Sequence, residues 1–267
     1  MELVPLLSTM RWPEVEANLK SNSVAVLPIG SHEQHGEHLP LNTDTATVEA
    51  VCHHIARRCD ALVLPVIPFG RSAHHMDFPG TISLKSGTLA CLISDICGSL
   101  TVHGVGEILI LNGHGGNEAL IIDTMRSMYR QHKGSVSFYY AQCLQLARQL
   151  VELDDLSTGH ADFREASIIL SIAPQTVNLA EARKSRAPAA SLGIASAIRR
   201  IAFNAVLFES ATLNTISDVK EFSEGGSWGS LEQSSAELGH VIIETVASYL
   251  VRFISELGST NGRPQAE

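Results

Sequence analysis

The stretch that most constrains this chain runs from Val24 to Asp44, VAVLPIGSHEQHGEHLPLNTD. It opens on an apolar run, Val24 to Ile29, closed by Gly30. Such a run suits a strand buried on both faces of a parallel sheet. Directly after it come His32, Glu33, Gln34, His35, Gly36, Glu37 and His38, and then Asp44. If the backbone stays extended past Gly30, Glu33 and His35 point one way and His32 and Gln34 the other. A carboxylate and an imidazole converging past a strand's carboxyl end are what a metal site in an open α/β sheet requires. A merely solvated polar loop is the plain alternative, but three His and two Glu within seven residues, straight after a core strand, favour ligation. The zincin pattern HExxH is excluded, because His35 follows Glu33 one residue too early.

The same arrangement recurs further on. Glu107 to Leu111 (EILIL) reads as a second buried strand, followed by NGHGGN, which places His114 just past a strand end. Gly113, Gly115 and Gly116 allow a sharp turn there, and Asn117 can cap the next helix. A dinucleotide-binding turn would need glycine where Glu118 stands, and no GK[ST] is present. A purely structural glycine turn remains open but leaves the His unexplained. HADFREAS adds His160 and Glu165. Glu33, His35, Asp44, His114 and Glu165 then make two imidazoles and three carboxylates, with His160 to spare. That is enough for two divalent ions sharing one carboxylate, the arrangement used to activate water against a carbonyl.

Between these loops the chain alternates strand and helix. Helices are expected after Trp12-Pro13, from Thr43 or Asp44 to about Arg58, over Ser86 to His103, over Asn117 to His132, and in a long amphipathic C-terminal segment. Further strands are expected over Ala61 to Ile67, cut by Pro65, and over Ser135 to Ala141. The alternation predicts a mostly parallel sheet with helices on both faces. Residues 180 to 200 read as an irregular basic surface excursion. No linker or repeat divides the 267 residues, so 1–267 is expected to be a single α/β domain.

A formal net charge of −9 argues against nucleic acid or an anionic membrane surface as partner. No apolar run approaches a membrane span, and the N-terminus lacks a signal-peptide pattern. The five cysteines form no CxxC pair and read as buried reduced thiols of a cytoplasmic protein.

Four segments, LPIGSHEQHGEHLPLNTD, GRSAHHMDFPGTISL, NGHGGN and GHADFREAS, resemble the successive motifs of the creatininase (creatinine amidohydrolase) family. The resemblance implies a three-layer α/β/α fold, a binuclear centre of Zn, Mn or Fe, and hydrolysis of a non-peptide or cyclic amide, often by a homohexamer. Carried over by position, it implies that Glu33, Asp44 and His114 hold one ion and that His35, Asp44 and a further Glu hold the other. His160 matches the family His that transfers protons, and His75 a family His beside the pocket; Ser72 and Trp228 are further candidates for contact with substrate. The chain also departs from the pattern. Creatininases resemble NGHYEN where NGHGGN stands, so a ligand Glu is missing at Gly116, and Glu165 is the substitute, as in relatives carrying HAGxxETS. Asp162, Ala166 and Glu37 also differ from the usual residues. No Trp lies between Trp12 and Trp228, so the Trp-rich lid closed over creatinine has no counterpart. The expected substrate is therefore a small, cyclic amide or related carbonyl compound other than creatinine. Alternatives are a peptidase of peptide-cofactor maturation, a C–C hydrolase of an oxidised cyclitol, and a non-catalytic metal-binding scaffold.

Overall fold

The computed structural model describes residues 6–21, 24–153, 159–182 and 198–260. Helix α1 (Trp12–Ser21), with Pro13 in its first turn, leads to strand β1 (Val24–Ile29). Then follow α2 (Thr43–Ala56), β2 (Leu62–Val63), α3 (Ser86–Val102), β3 (Glu107–Asn112), α4 (Glu118–Gln131), β4 (Ser137–Gln142) and α5 (Cys143–Leu150). The strand order is β2-β1-β3-β4, all parallel, with β1 and β3 paired along six residues. The second strand is shorter than expected because Pro65 offers no N–H to the ladder. The chain returns beyond it, where Ile67 N–H donates to the Pro28 carbonyl at 3.0 Å.

Strand alternation sorts the core into two layers. Val24, Val26, Leu109 and Leu111 face Val48, Val51 and Ile55 of α2. Ala25, Leu27, Ile108 and Ile110 face Leu89 and Ile93 of α3 and Ile121 of α4. Both faces are thus covered, which is why β1 and β3 read as unbroken apolar runs. The result is the expected three-layer α/β/α arrangement around a parallel sheet.

Beyond β4 come α6 (Phe163–Ile172), α7 (Leu179–Ala182), an antiparallel sheet of β5 (Ile198–Ala202), β6 (Ala205–Phe208) and β7 (Ala211–Asn214), then α8 (Val219–Phe222) and α9 (Ala236–Thr260). The sequence reading foresaw neither α5, which starts on the residue after β4 with no Gly or Pro between them, nor the small sheet, whose last strand is exposed throughout. Most of the basic excursion, 183–197, lies outside the described residues. Within α9, Ala236–Ser259 is long and apolar enough to cross a membrane by composition, contrary to the expectation that no segment approaches that length. Its apolarity has a packing cause: Ile242, Val246, Leu250 and Ile254 recur on one face and are buried in the first core layer. All five cysteines are free, but Cys91 is exposed and Cys59 half-buried, so not all are the buried thiols expected.

Candidate metal centre

From β1 the chain turns back to one neighbour, β2, while β3 and β4 lie on the other side. The switch point therefore falls between β1 and β3, and the loops leaving their carboxyl ends meet there. Two glycines make that meeting possible. A Cβ on Gly113 would lie 2.5 Å from the Asp44 carbonyl oxygen, and one on Gly30 would lie 2.5 Å from Thr45 Cα. Both strand ends thus abut the first turn of α2. Asn42, and not Thr43 or Asp44, occupies the N-cap position, with no side-chain capping bond. Asp44 lies one residue inside the helix, and its carboxylate turns to the strand ends, where Ser31 Oγ–H donates to it at 2.7 Å. Asn117 occupies the N-cap position of α4 as expected, but its side chain makes no capping bond. Its Nδ2 donates to the Gly30 carbonyl at 3.0 Å and its Oδ1 accepts from Arg71 N–H at 2.8 Å, tying three loops together.

Five predicted ligands converge on this point. His114 Nδ1 is 3.0 Å from Asp44 Oδ2, and its Nε2 is 3.1 Å from Glu33 Oε2. His35 Nε2 is 3.2 Å from Asp44 Oδ1 and 3.7 Å from Glu165 Oε1. The other His35 nitrogen, Nδ1, faces the Glu33 backbone carbonyl at 3.1 Å, which orients Nε2 into the gap. All five side chains are buried. Both carboxylate oxygens of Glu33 are buried without a hydrogen bond. His75 Nε2, at 3.3 Å, and His114 stand within ion-pairing distance of Glu33 but off the line of such a bond. Buried carboxylate oxygens left in this way fit cation ligands. Glu33, His35 and Asp44 can each offer an atom within 4.8 Å of the others, as can His35, His160 and Glu165. Mixed imidazole and carboxylate donors suit zinc, manganese or iron.

The missing ligand at Gly116 has a steric counterpart. A Cβ there would run into His114 Nε2 and lie 2.6 Å from the Arg71 carbonyl oxygen. Glu165 supplies the further carboxylate from the first turn of α6, its Oε2 accepting from Ala161 N–H at 2.5 Å. Ala161 takes a left-handed φ of 55°, which turns the chain between His160 and the helix.

Charges in the cluster support one another. Burial works against the charge on Asp44, but His35 and His114 outweigh it and hold this carboxyl well below its usual range. Burial likewise opposes charge on His35, yet Asp44 and Glu165 push it well above the ordinary imidazole value. For His114, Glu33 and Asp44 overcome burial and raise it to about 10. His160 goes the other way, lowered by burial and then by the neighbouring His35. His75 is pushed down to about 2, chiefly by burial, although Glu33 pulls it upward.

Above the ligands opens a cavity of about 870 Å³, lined in part by Glu33, Asp44, His75, His114, His160 and Trp228. The His160 ring packs 5.1 Å from that of Trp228, and the two residues exchange backbone hydrogen bonds at 3.0 Å. Phe203 and Phe222 back the indole. Ser72 is fully buried and does not line the cavity; His74 and His75 represent its loop there. Arg71 and Arg164 both line the cavity, Arg164 while paired with Asp162. Sequence reasoning missed Gln34, which alternation pointed away from Glu33. Its side chain is buried and reaches His75 and His160. Its place in the His-rich loop was the signal available.

Comparison with known proteins identifies the family and the fold. The creatininase family profile, described as creatinine amidohydrolase, matches residues 8–254. Creatinine amidohydrolase of Pseudomonas putida is 37% identical over 120 residues, 43% of this chain and 46% of the relative. The mycofactocin precursor peptide peptidase of Mycolicibacterium smegmatis is 32% identical over 161 residues, 58% of this chain and 60% of the relative. The chain thus spans about half the length of the curated relatives it matches. A solved manganese form of creatininase superposes with a TM-score of 0.74 at 23% identity, covering 96% of this chain and 98% of the other, and so shares the fold. On the profile match over nearly its whole length, the chain belongs to the creatininase family, whose members are metal-dependent hydrolases.

Proposed function

We propose that this protein is a metal-dependent amidohydrolase acting on a small, polar, cyclic amide or related carbonyl compound. The observation that carries the reading is Glu33: a carboxylate with both oxygens buried and no hydrogen bond, at the base of a cavity large enough for a small substrate. On this reading Glu33, Asp44 and His114 hold one divalent ion, and His35, Asp44 and Glu165 hold a second. When bound, such ions polarise a carbonyl and lower the pKa of water. His160 moves the proton. It stands 4.5 Å, ring to ring, from His35, and its lowered pKa keeps it neutral near pH 7, able to accept a proton and pass it to the leaving nitrogen. Trp228, whose ring packs 5.1 Å from that of His160, shields that transfer from solvent.

Cleavage within a short peptide is the second reading. One observation favours it: the matched stretch covers more of the mycobacterial peptidase than of the creatinine amidohydrolase. The test is a screen of the zinc- or manganese-loaded protein against lactams, cyclic ureides and formamides beside a peptide library, followed by product detection. Turnover of small amides supports the first reading; turnover of peptides alone replaces it with the second. A homo-oligomer is part of the proposal through the family resemblance, and sedimentation of the loaded protein tests it.

A further inference from the structure

Gln34 is buried, and its amide admits one orientation. Oε1 accepts from Gly36 N–H at 2.9 Å, and Nε2 donates to the Gly226 carbonyl at 2.9 Å. A backbone N–H can only donate and a carbonyl can only accept, so the amide oxygen and nitrogen cannot be exchanged. Two ring nitrogens face the second hydrogen on Nε2, His75 Nδ1 at 2.7 Å and His160 Nε2 at 3.1 Å; the shorter contact, and the 2.8 Å approach of His160 Nε2 to the Gln34 carbonyl oxygen, assign it to His75 Nδ1. That nitrogen must present a lone pair, so the neutral ring carries its proton on Nε2, the atom 3.3 Å from Glu33 Oε1. The main chain of the same residue constrains the other histidine. His160 Nε2 lies 2.8 Å from the Gln34 carbonyl oxygen and must donate to it, which leaves the His160 Nδ1 lone pair free. Gly226 completes the fit: its φ is +82°, and a Cβ there would run into Gln34 Oε1.

We propose that Gln34 is the positioning residue of this site, fixing His75 as the tautomer protonated on Nε2, the atom that faces Glu33 at 3.3 Å, and His160 as the tautomer whose Nδ1 is free to take a proton. Its side chain joins three segments that are distant in sequence: the loop after β1, the turn bearing His75, and the loop bearing Gly226 and Trp228. A metal ligand oriented through a neighbouring imidazole, with that imidazole oriented in turn, is how such centres hold their geometry. The kinetic part of this proposal rests on the hydrolytic reading above; the tautomer assignment does not.

The test reads the tautomers directly. Long-range 1H–15N correlation spectra of the imidazoles, recorded on the metal-free and the zinc-loaded protein, should show His75 and His160 both neutral and both protonated on Nε2. A wild-type His75 protonated on Nδ1 overturns the proposal. Gln34→Glu keeps the shape but has no hydrogen to give, so His75 Nδ1 should gain a proton and its signal should move. With the best amide from the screen, kcat of Gln34→Glu should fall by about 10–100-fold at unchanged KM and zinc content. An unmoved His75 signal with full kcat overturns the proposal. Should this variant misfold, the wild-type spectra still decide. A wild-type chain with the expected tautomers that turns over no amide keeps the positioning role and sinks the hydrolytic reading instead.

Discussion

Asp44→Asn preserves side-chain size and removes one charge from a group that three partners share. Ser31 donates to Asp44 at 2.7 Å, His114 Nδ1 stands at 3.0 Å and His35 Nε2 at 3.2 Å, with the two imidazoles on different carboxylate oxygens. Such a carboxylate can belong to two ion positions at once, so both ions should be lost together. With free metal about 100-fold above Kd, each ion stabilises the fold by about 2.7 kcal/mol, and a pair by about 5 kcal/mol. At about 2–4 °C per kcal/mol for a chain of this size, loading should raise the wild-type Tm by roughly 10–20 °C and leave that of D44N unmoved. The metal-free variant should also melt lower than the metal-free wild type. Breaking a buried ion pair costs about 3–5 kcal/mol, and Asn cannot supply the charge that holds His35 and His114 protonated. The assay is elemental analysis after gel filtration, together with scanning calorimetry with and without zinc. If D44N keeps one tightly held ion per chain and half of the Tm rise, Asp44 serves one position and the shared-ligand argument is wrong.

Three further outcomes follow from the geometry. His160→Ala should keep its metals and lose roughly 10²–10⁴ in turnover, the usual worth of a general acid–base; a parallel fall in metal content would make His160 a ligand. In the metal-free protein His114 is raised to about 10 and His35 well above the ordinary imidazole value, so the stability of their ion pairs is fully present below about pH 6.5 and is lost as pH rises through each raised value, about 10 for His114. Metal must therefore displace protons at neutral pH, and calorimetric titration with zinc in buffers of different ionisation enthalpy should register their release; zero release would contradict the charge assignment. Gly113→Ala places a Cβ 2.5 Å from a backbone oxygen of Asp44, a crowding worth about 1–3 kcal/mol, so its Tm should fall and its metal affinity weaken; an unchanged melt would mean that β3 does not abut α2 so closely.

The frame of this protein was legible because its two central strands are buried on both faces. Val24–Ile29 and Glu107–Asn112 have almost no polar position to confuse the pattern, and each is followed by glycine with a histidine one or two residues further on. Wherever burial was one-sided, legibility fell. The strands β6 and β7 are half-buried or exposed, so their residues show no clear alternation. Helix α5 has buried positions at Cys143 and Ala147, four residues apart, but it joins β4 without a break and was absorbed into the irregular stretch that follows. Asn42, Thr43 and Asp44 are all good capping residues, and nothing in their order says which stays outside the helix.

The candidate site divides along a similar line. Residues that carry charge and follow a strand could be named from sequence, because the strand end determines where they emerge. Gln34 and Asn117 could not, since a carboxamide's role lies in which backbone groups surround it. Both amides bind groups distant in sequence: Gly226 lies 192 residues from Gln34, and Gly30 lies 87 residues from Asn117. Glu165 falls between these cases. Its type and spacing made it a candidate, but two facts of packing make it the fitting one. No side chain can be built at Gly116 without striking His114, and the left-handed turn at Ala161 brings the first turn of α6 against His35. A carboxylate is thus absent where the loop is tight and present where a helix end faces the same gap from the opposite side. On the proposed two-ion reading the carboxylate count is preserved, while the position of one carboxylate in the sequence is not.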